Sequence, residues 1–151
     1  MPRGSRRLPD ECLRLLAESD LILHVGDVVA ASLLEELRVL APVQAVHGNM
    51  DEPALKAALP ETRIVEFEGV RIGMVHEPGP AAGRAERLAA RFPRCDAVVY
   101  GHTHLPEVTR HGSEWILNPG SPTERRRAPA RTMLVLEVED GGVEPRLVEL
   151  T

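Results

Sequence analysis

The chain has 151 residues, of which 43% are apolar and 27% charged, so we expect one globular domain with a hydrophobic core of useful size. The net charge of −5 gives no basis for a nucleic-acid-binding surface, and no apolar run approaches the length that crosses a membrane. The two cysteines form no metal-binding pair and the N-terminal MPRGSRRLPDE lacks the apolar segment of a signal peptide, which together favour a reduced, cytoplasmic protein.

Helix and strand patterns alternate along the first half of the chain, and the second half is mostly hairpins. Helical spacing of apolar residues predicts helices over 8–19, 31–40, 53–59 and 82–92. Short apolar runs predict buried strands over 21–25, 43–46 and 97–100. Turn residues between alternating segments predict hairpins that pair 63–67 with 70–75, 107–110 with 114–117, and 132–139 with 143–150. The order predicts a single α/β domain over residues 1–151, with a parallel-type sheet extended by, or packed on, an antiparallel one and helices outside.

Four of the predicted strands end in a polar residue of a type that binds metals. In open α/β sheets, sites form outside the carboxyl ends of the strands, so we expect these side chains to share one crevice. A glycine precedes three of the positions and lets the backbone turn sharply there. The two histidines of GHTH project the same way if their loop stays extended. The residues at the strand ends are Asp27, Asn49, His76, His102 and His104.

This set offers one carboxylate, one amide oxygen and three imidazoles. Mixed nitrogen and oxygen ligation suits Mn, Fe, Zn, Ni or Co better than Ca or Mg. One carboxylate beside several histidines suggests a bridged pair of metals, roughly 3.5–4 Å apart, that activates a water and clamps a phosphoryl group. Each residue also has a plain structural interpretation: Asp27 as a helix cap, Asn49 as a turn residue, His76 as a packed histidine. The set as a whole favours the metal site. The other histidines, which we expect to be structural or solvent-facing, are His24, His47 and His111.

Five short motifs in this order resemble those of the calcineurin-like metallophosphoesterases, and more narrowly the small bacterial and archaeal phosphodiesterase branch, to which a retromer subunit is related. The resemblance covers essentially the whole chain, and it implies a two-sheet β-sandwich flanked by helices. The GD motif alone is weak evidence for the family, whereas GNxD followed by GHTH and NPGS is specific evidence for it. The motifs are GD at 26–27, GNMD at 48–51, His76, GHTH at 101–104 and NPGS at 118–121.

The resemblance also implies roles for individual residues. Asp27 would bridge two metals, His104 would belong to the first metal, and Asn49, His76 and His102 would complete the second. Asn49 would also face the phosphate, so these last three are the expected catalytic residues. Mn is the expected metal, with Fe, Ni, Zn or Co as alternatives, and a small phosphodiester is the expected substrate. The residues expected to form the supporting turns are Gly26, Gly48, Gly101, Asn118 and Gly120.

One family motif is not found in this sequence. The family begins with Asp-x-His at the end of a first strand, and MPRGSRRLPDE is similar to the segment that follows it. We interpret the sequence as truncated by a start assigned too late, with a genuine start as the alternative. The first β-strand would then be missing from the middle of a sheet, which leaves unpaired edges at roughly 1–3 kcal/mol per buried backbone group. We expect lower stability and pairing with another molecule through the gap, for example as a homo-oligomer.

The two metal positions should have unequal ligand sets, because this sequence retains only Asp27 and His104 as ligands of the first metal. We expect one occupied position, or two with the first weak, and low activity without the two-sided clamp. Met50 stands where the wider superfamily has a histidine that is credited with protonating the leaving group. A thioether cannot donate a proton, so good substrates need an alcohol that leaves without protonation, or another proton donor. Arginines near the site could bind a substrate phosphate, although we prefer to interpret them as solvated surface residues. These arginines are Arg3, Arg6, Arg7, Arg125, Arg126 and Arg127.

Three functions compete at this point. The first is a metal-dependent phosphodiesterase in which a metal-held hydroxide attacks phosphorus. The second is a non-catalytic protein-interaction scaffold on the same fold, which the lost first-metal ligands favour. The third is an unrelated metal-binding or nucleotide-binding α/β domain, which ranks last because no glycine-rich phosphate loop precedes a helix.

Overall fold

The computed structural model of the chain describes residues 7–28, 31–124 and 127–150. Within these ranges the helices are α1 (Asp10–Glu18), α2 (Ala31–Leu40), α3 (Pro53–Ala58) and α4 (Arg84–Arg91). The strands are β1 (Ile22–His24), β2 (Val43–Ala45), β3 (Thr62–Phe67), β4 (Val70–Val75), β5 (Ala97–Tyr100), β6 (Glu107–His111), β7 (Glu114–Asn118), β8 (Arg131–Glu139) and β9 (Gly142–Leu150).

The strands form two layers. One layer is a five-stranded sheet in the order β3-β4-β5-β7-β6, in which β4, β5 and β7 run parallel and the hairpins at each edge are antiparallel. The other layer holds the parallel pair β1-β2 and the antiparallel hairpin β8-β9. Parallel strands that are covered on both faces read as continuous apolar runs, and β5 (AVVY) is buried at all four positions.

Three apolar clusters fix the order of the layers. The cluster between the two sheets joins side chains of β4, β5 and β7 to inward-facing residues of β1, β8 and β9. A second cluster packs α1 and α2 against the outer face of β1, β2, β8 and β9, and a third packs α4 against the outer face of the five-stranded sheet. The chain is therefore a two-sheet α/β sandwich with helices on both outer faces, as the sequence predicts.

Most predicted elements lie within two residues of the observed ones, and two of the differences have a local cause. The helix predicted over 82–92 begins only at Arg84, because Gly83 takes a left-handed φ of 69° at the N-cap. The helix predicted from residue 8 begins at Asp10, after the extended Pro9. Within the described part of the chain, no helix is long and apolar enough to cross a membrane.

Candidate metal centre

The ends of β1, β2, β4 and β5 bring four of the five predicted donors together. His76 Nε2 lies 2.8 Å from Asn49 Oδ1 and 3.3 Å from Asp27 Oδ2. His102 Nδ1 lies 3.3 Å from the same Asn49 oxygen, and its ring meets that of His76 edge-on at 5.2 Å between centroids. One carboxylate oxygen, one amide oxygen and two imidazole nitrogens thus face a common point.

Strained backbone holds these side chains in place. Asp27, His102 and His104 have φ values of 57°, 70° and 60°, a left-handed region that few residues other than glycine adopt. Left-handed conformations at non-glycine residues persist only where the surrounding structure enforces them, and they cluster at functional sites. The other such residues in the described chain lie in turns away from this site. The strain is therefore concentrated on the predicted donor residues.

The glycines before the donors make room for them. A Cβ on Gly48 would lie 2.3 Å from both the Asp27 nitrogen and its Oδ1, and a Cβ on Gly26 would lie 2.6 Å from His76 Nδ1. The buried Asp51 carboxylate accepts the Gly48 N–H at 2.7 Å and so closes the GNMD turn. Gly26 and Gly48 are therefore needed for the close approach of the donor side chains.

Two hydrogen bonds aim the donors. His76 Nδ1–H donates to the Val25 carbonyl at 2.8 Å, which leaves Nε2 as the nitrogen that faces the site. A ring nitrogen that donates to a carbonyl in this way fixes the orientation of a metal-binding histidine. The Met50 N–H donates to Asp27 Oδ1 at 2.8 Å, which leaves Oδ2 directed at His76.

The buried Asp27 and His76 stabilise each other's charge. Burial works to raise the pKa of Asp27, but the hydrogen bonds from His76 and from the Met50 N–H outweigh it and lower the pKa to about 2. Burial works to lower the pKa of His76, yet its bond to the Asp27 carboxylate and the charge of that group leave the pKa raised. Without a metal, the ionised Asp27 therefore favours the protonated form of His76.

His104 stands apart from the other donors. The loop after Gly101 does not stay extended, because Thr103 N–H donates back to the Gly101 carbonyl at 2.8 Å and both histidines have left-handed φ values. His104 Nδ1–H donates instead to the Glu124 carbonyl at 3.0 Å. The condition under which His102 and His104 would project the same way is thus not met, although both line the same cleft.

The NPGS turn supports this histidine loop through hydrogen bonds. Asn118 is fully buried, and its Nδ2 donates to Thr103 Oγ1 at 2.9 Å and to the Gly101 carbonyl at 3.4 Å. Its Oδ1 accepts the Gly120 N–H at 2.8 Å. Gly101 lies where a Cβ would be 3.1 Å from the Val25 carbonyl, and Gly120 has a φ of 74°. These contacts tie the histidine loop to β1 and β7.

The donor set fits one divalent transition metal. Within the residues that the structure describes, no three His, Cys, Asp or Glu side chains form a group arranged to hold a metal, and the donor that joins His76 to His102 is the amide oxygen of Asn49. Two imidazole nitrogens with two oxygens from different residue types are a combination that suits Zn, Mn, Fe or Co. The bridged pair of metals stays a prediction: His104 Nδ1–H donates to the Glu124 carbonyl, which leaves Nε2 as the nitrogen that can bind a metal.

The sequence analysis gave no sign of one buried histidine, and several of the arginines that it named lie outside the described residues. His24 is buried, and burial lowers its pKa to about 3, yet its Nε2 has no hydrogen-bond partner in the described structure. Its position before the glycine gave no signal, because orphaned donors arise only from tertiary packing. Of the arginines, Arg7 and Arg127 are exposed. Arg3, Arg6, Arg125 and Arg126 lie outside the described residues.

Similarity to known proteins agrees with this geometry. The model of the calcineurin-like phosphoesterase superfamily domain matches residues 4–141. A probable metallophosphoesterase of Methanothermobacter thermautotrophicus is 31% identical over 98% of this chain and 86% of its own length. One from Methanocaldococcus jannaschii is 36% identical, over 95% of this chain and 73% of its own length.

A solved structure gives the same result for the fold. Wild-type Vps29 of Entamoeba histolytica, complexed with Zn²⁺, is 27% identical and superposes with a TM-score of 0.76, covering 99% of this chain and 93% of that one. The sandwich, the converging strand-end donors and the match over residues 4–141 lead to one conclusion. The chain belongs to the calcineurin-like phosphoesterase superfamily, a family of metal-dependent hydrolases.

Proposed function

We propose that the chain hydrolyses phosphodiesters with one divalent metal, Mn²⁺ in the first instance, held by Asp27, Asn49, His76 and His102. The observation that carries the proposal is the convergence of these four donors, with contacts of 2.8–3.3 Å between them, at the carboxyl ends of four strands. When bound, the metal supplies Lewis acidity and lowers the pKa of a bound water. The Zn²⁺-bound Vps29 of Entamoeba histolytica supports a metal of this kind on the same fold.

The chain's own residues supply position and charge. Asp27 is ionised, with a pKa of about 2, so it offers a carboxylate at any physiological pH. Because Asp27 raises the pKa of His76, a proton competes with a metal for His76 Nε2. Asn49 is exposed, and its amide is neutral, so its NH₂ group can donate to a phosphate oxygen while Oδ1 faces the site.

The leaving group sets a limit on the substrate. Met50 follows Asn49 and is 45% exposed, and its thioether has no proton to give. The glutamate next to His76, Glu77, lies with Oε1 3.8 Å from His102 Nδ1 and is mostly exposed. Esters whose alcohols leave without protonation are therefore the substrates we expect to turn over, and slowly, because one metal lacks the two-sided clamp.

The test is hydrolysis of bis(p-nitrophenyl) phosphate, with p-nitrophenyl phosphate as the monoester comparison, in metal-stripped buffer with Mn²⁺, Zn²⁺, Ni²⁺, Fe²⁺, Co²⁺ or Mg²⁺ added. We expect turnover of the diester with Mn²⁺ and loss of at least about 100-fold in Asn49→Ala and His76→Ala, by analogy with the cost of removing even outer partners of a metal site. His111→Ala, in the β6–β7 hairpin, is the matched control and should keep full activity. Turnover without added metal, or in His76→Ala, contradicts the proposal.

A scaffold role is the second candidate, and one observation favours it. The contacts among Asp27, Asn49, His76 and His102 mark one metal position, whereas the described hydrogen bond of His104 is to the Glu124 carbonyl. The Vps29 similarity shows that the fold occurs outside proteins named as phosphoesterases. Absence of diester turnover with every metal, in a chain that still binds Mn²⁺ by calorimetry, would favour the scaffold. A homo-oligomer is part of this candidate, and size-exclusion chromatography with light scattering measures it.

A further inference from the structure

A carboxylate outside the four-donor group lies at the mouth of the candidate metal centre. Glu77 follows the donor His76 in the sequence, and its Oε1 is 3.8 Å from His102 Nδ1. The same His102 nitrogen lies 3.3 Å from Asn49 Oδ1, on its side toward the donor group. A negative charge therefore lies one contact away from the atoms that are proposed to hold the metal.

The exposure of the donors shows from which side a substrate reaches them. The side chains of Asp27 and His76 are only 9% and 5% exposed. Asn49 is exposed, and the His102 side chain is 41% exposed. A phosphate ester bound to a metal at this group therefore lies on the side of Asn49 and His102, which is also the side of Glu77.

The loop that carries Glu77 is held by two arginines of α4. The Arg87 guanidinium donates to three carbonyls within residues 78–82, at 2.6–3.1 Å. Arg84 Nη2 donates to the Gly79 carbonyl at 2.8 Å. These cations are directed at backbone oxygens, and the ion pair that the described structure gives Glu77 is the one with His102. The loop is thus fixed beside the site while the Glu77 carboxylate, 63% exposed, keeps its charge toward the mouth.

A fixed negative charge at the mouth acts on substrates according to their own charge. A phosphodiester carries one negative charge, whereas a phosphomonoester well above its second pKa of about 6 carries two. The repulsion between like charges grows in proportion to the charge of the substrate. A carboxylate beside the bound phosphate therefore disfavours a monoester more than a diester, and repulsion of the wrong ligand is a general means of specificity.

We propose that Glu77 is a specificity-determining residue, which disfavours dianionic phosphomonoesters relative to monoanionic phosphodiesters. This inference rests on the proposed metal-dependent hydrolysis and specifies its substrate class by charge. Water screens a carboxylate that is mostly exposed, so the effect is moderate. For a hydrated charge at this range, we expect Glu77 to change the preference between the two classes by at least about threefold.

The test compares kcat/KM for bis(p-nitrophenyl) phosphate and p-nitrophenyl phosphate with Mn²⁺ at about pH 8, where the monoester is a dianion. Glu77→Gln removes the charge and keeps the shape, and the preference for the diester should fall at least about threefold. The matched control is Glu66→Gln, which changes the net charge equally at a 68% exposed side chain paired with Arg71, at the opposite end of β4 from His76. The control should keep the original preference, and an unchanged preference in Glu77→Gln would overturn the inference.

Binding gives a readout that does not depend on turnover. Phenylphosphonate, a dianion in alkaline buffer, and its monomethyl ester, a monoanion, are titrated calorimetrically into the Mn²⁺-bound chain. Glu77→Gln should favour the dianion over the monoanion by at least about threefold more than the unmutated chain does. This gain should shrink in 1 M salt, where the Debye length is about 3 Å, and a gain that survives high salt would overturn the charge mechanism.

Two further outcomes separate this inference from its alternatives. A loss of Mn²⁺ affinity of about tenfold or more in Glu77→Gln would make Glu77 part of the metal site and would overturn a role in substrate specificity. Absence of diester turnover with every metal in the unmutated chain would contradict the proposed function. The phosphonate pair then decides by itself whether Glu77 selects ligands by charge.

Discussion

Gly48 is the position at which the packing of the candidate metal centre can be tested most directly. A methyl group there would lie 2.3 Å from the backbone nitrogen of Asp27 and 2.3 Å from its Oδ1, far inside van der Waals contact. Gly48 has no left-handed φ, so Gly48→Ala adds a steric clash without a change in backbone preference. The clash falls on the carboxylate that the proposed metal needs.

The expected cost follows from these contacts. Overpacking of a filled site typically costs roughly 1–3 kcal/mol, so we expect Gly48→Ala to lower the free energy of unfolding by about 2 kcal/mol. For a chain of this length, that corresponds to a fall in Tm of roughly 4–8 °C. Displacement of Asp27 should also weaken Mn²⁺ binding by at least about tenfold, in the range seen when the supports of a metal ligand are removed.

The control for this substitution is Gly142→Ala. Gly142 has no left-handed φ either, and a methyl group there would meet only the Glu139 carbonyl oxygen at 3.5 Å, an ordinary contact. Thermal unfolding and calorimetric titration with Mn²⁺ compare the two variants. If Gly48→Ala matches Gly142→Ala in both Tm and Mn²⁺ affinity, the contact between Gly48 and Asp27 is not tight and the site is not packed as described.

Two further substitutions test the charge and the supporting turn. The first is His76→Gln, measured without metal: because the pKa of His76 is raised in the folded state, the stabilisation from its charge is present below pH 6.5 and is lost as the pH rises through the folded-state pKa. The Tm deficit of the variant should therefore be larger at about pH 6 than at about pH 9. An equal deficit at both pH values would refute the Asp27–His76 charge pair. The second is Asn118→Ala, which removes a fully buried amide with three hydrogen bonds and should lower the free energy of unfolding by about 2–3 kcal/mol, measured by urea denaturation. A cost near zero would show that Asn118 does not stabilise the histidine loop.

Local patterns predict the elements of this fold because each carries its own signal. The run ASLLEELRVL has helical spacing and ends before Pro42, and α2 is Ala31–Leu40 as predicted. The run AVVY is short and fully apolar, and β5 is Ala97–Tyr100. The strand-end rule also brings Asp27, Asn49 and His76 to one crevice, because the carboxyl ends of neighbouring strands meet there whatever the loops do.

Other features depend on contacts between distant residues and leave no local trace. His104 turns to the Glu124 carbonyl because the GHTH loop takes left-handed values at two histidines, which no propensity scale anticipates. His24 Nε2 is buried without a hydrogen-bond partner among the described residues, which is a result of tertiary packing with no local signal. Neither the spacing of the histidines nor their neighbours in sequence distinguishes these outcomes from an extended, fully bonded loop.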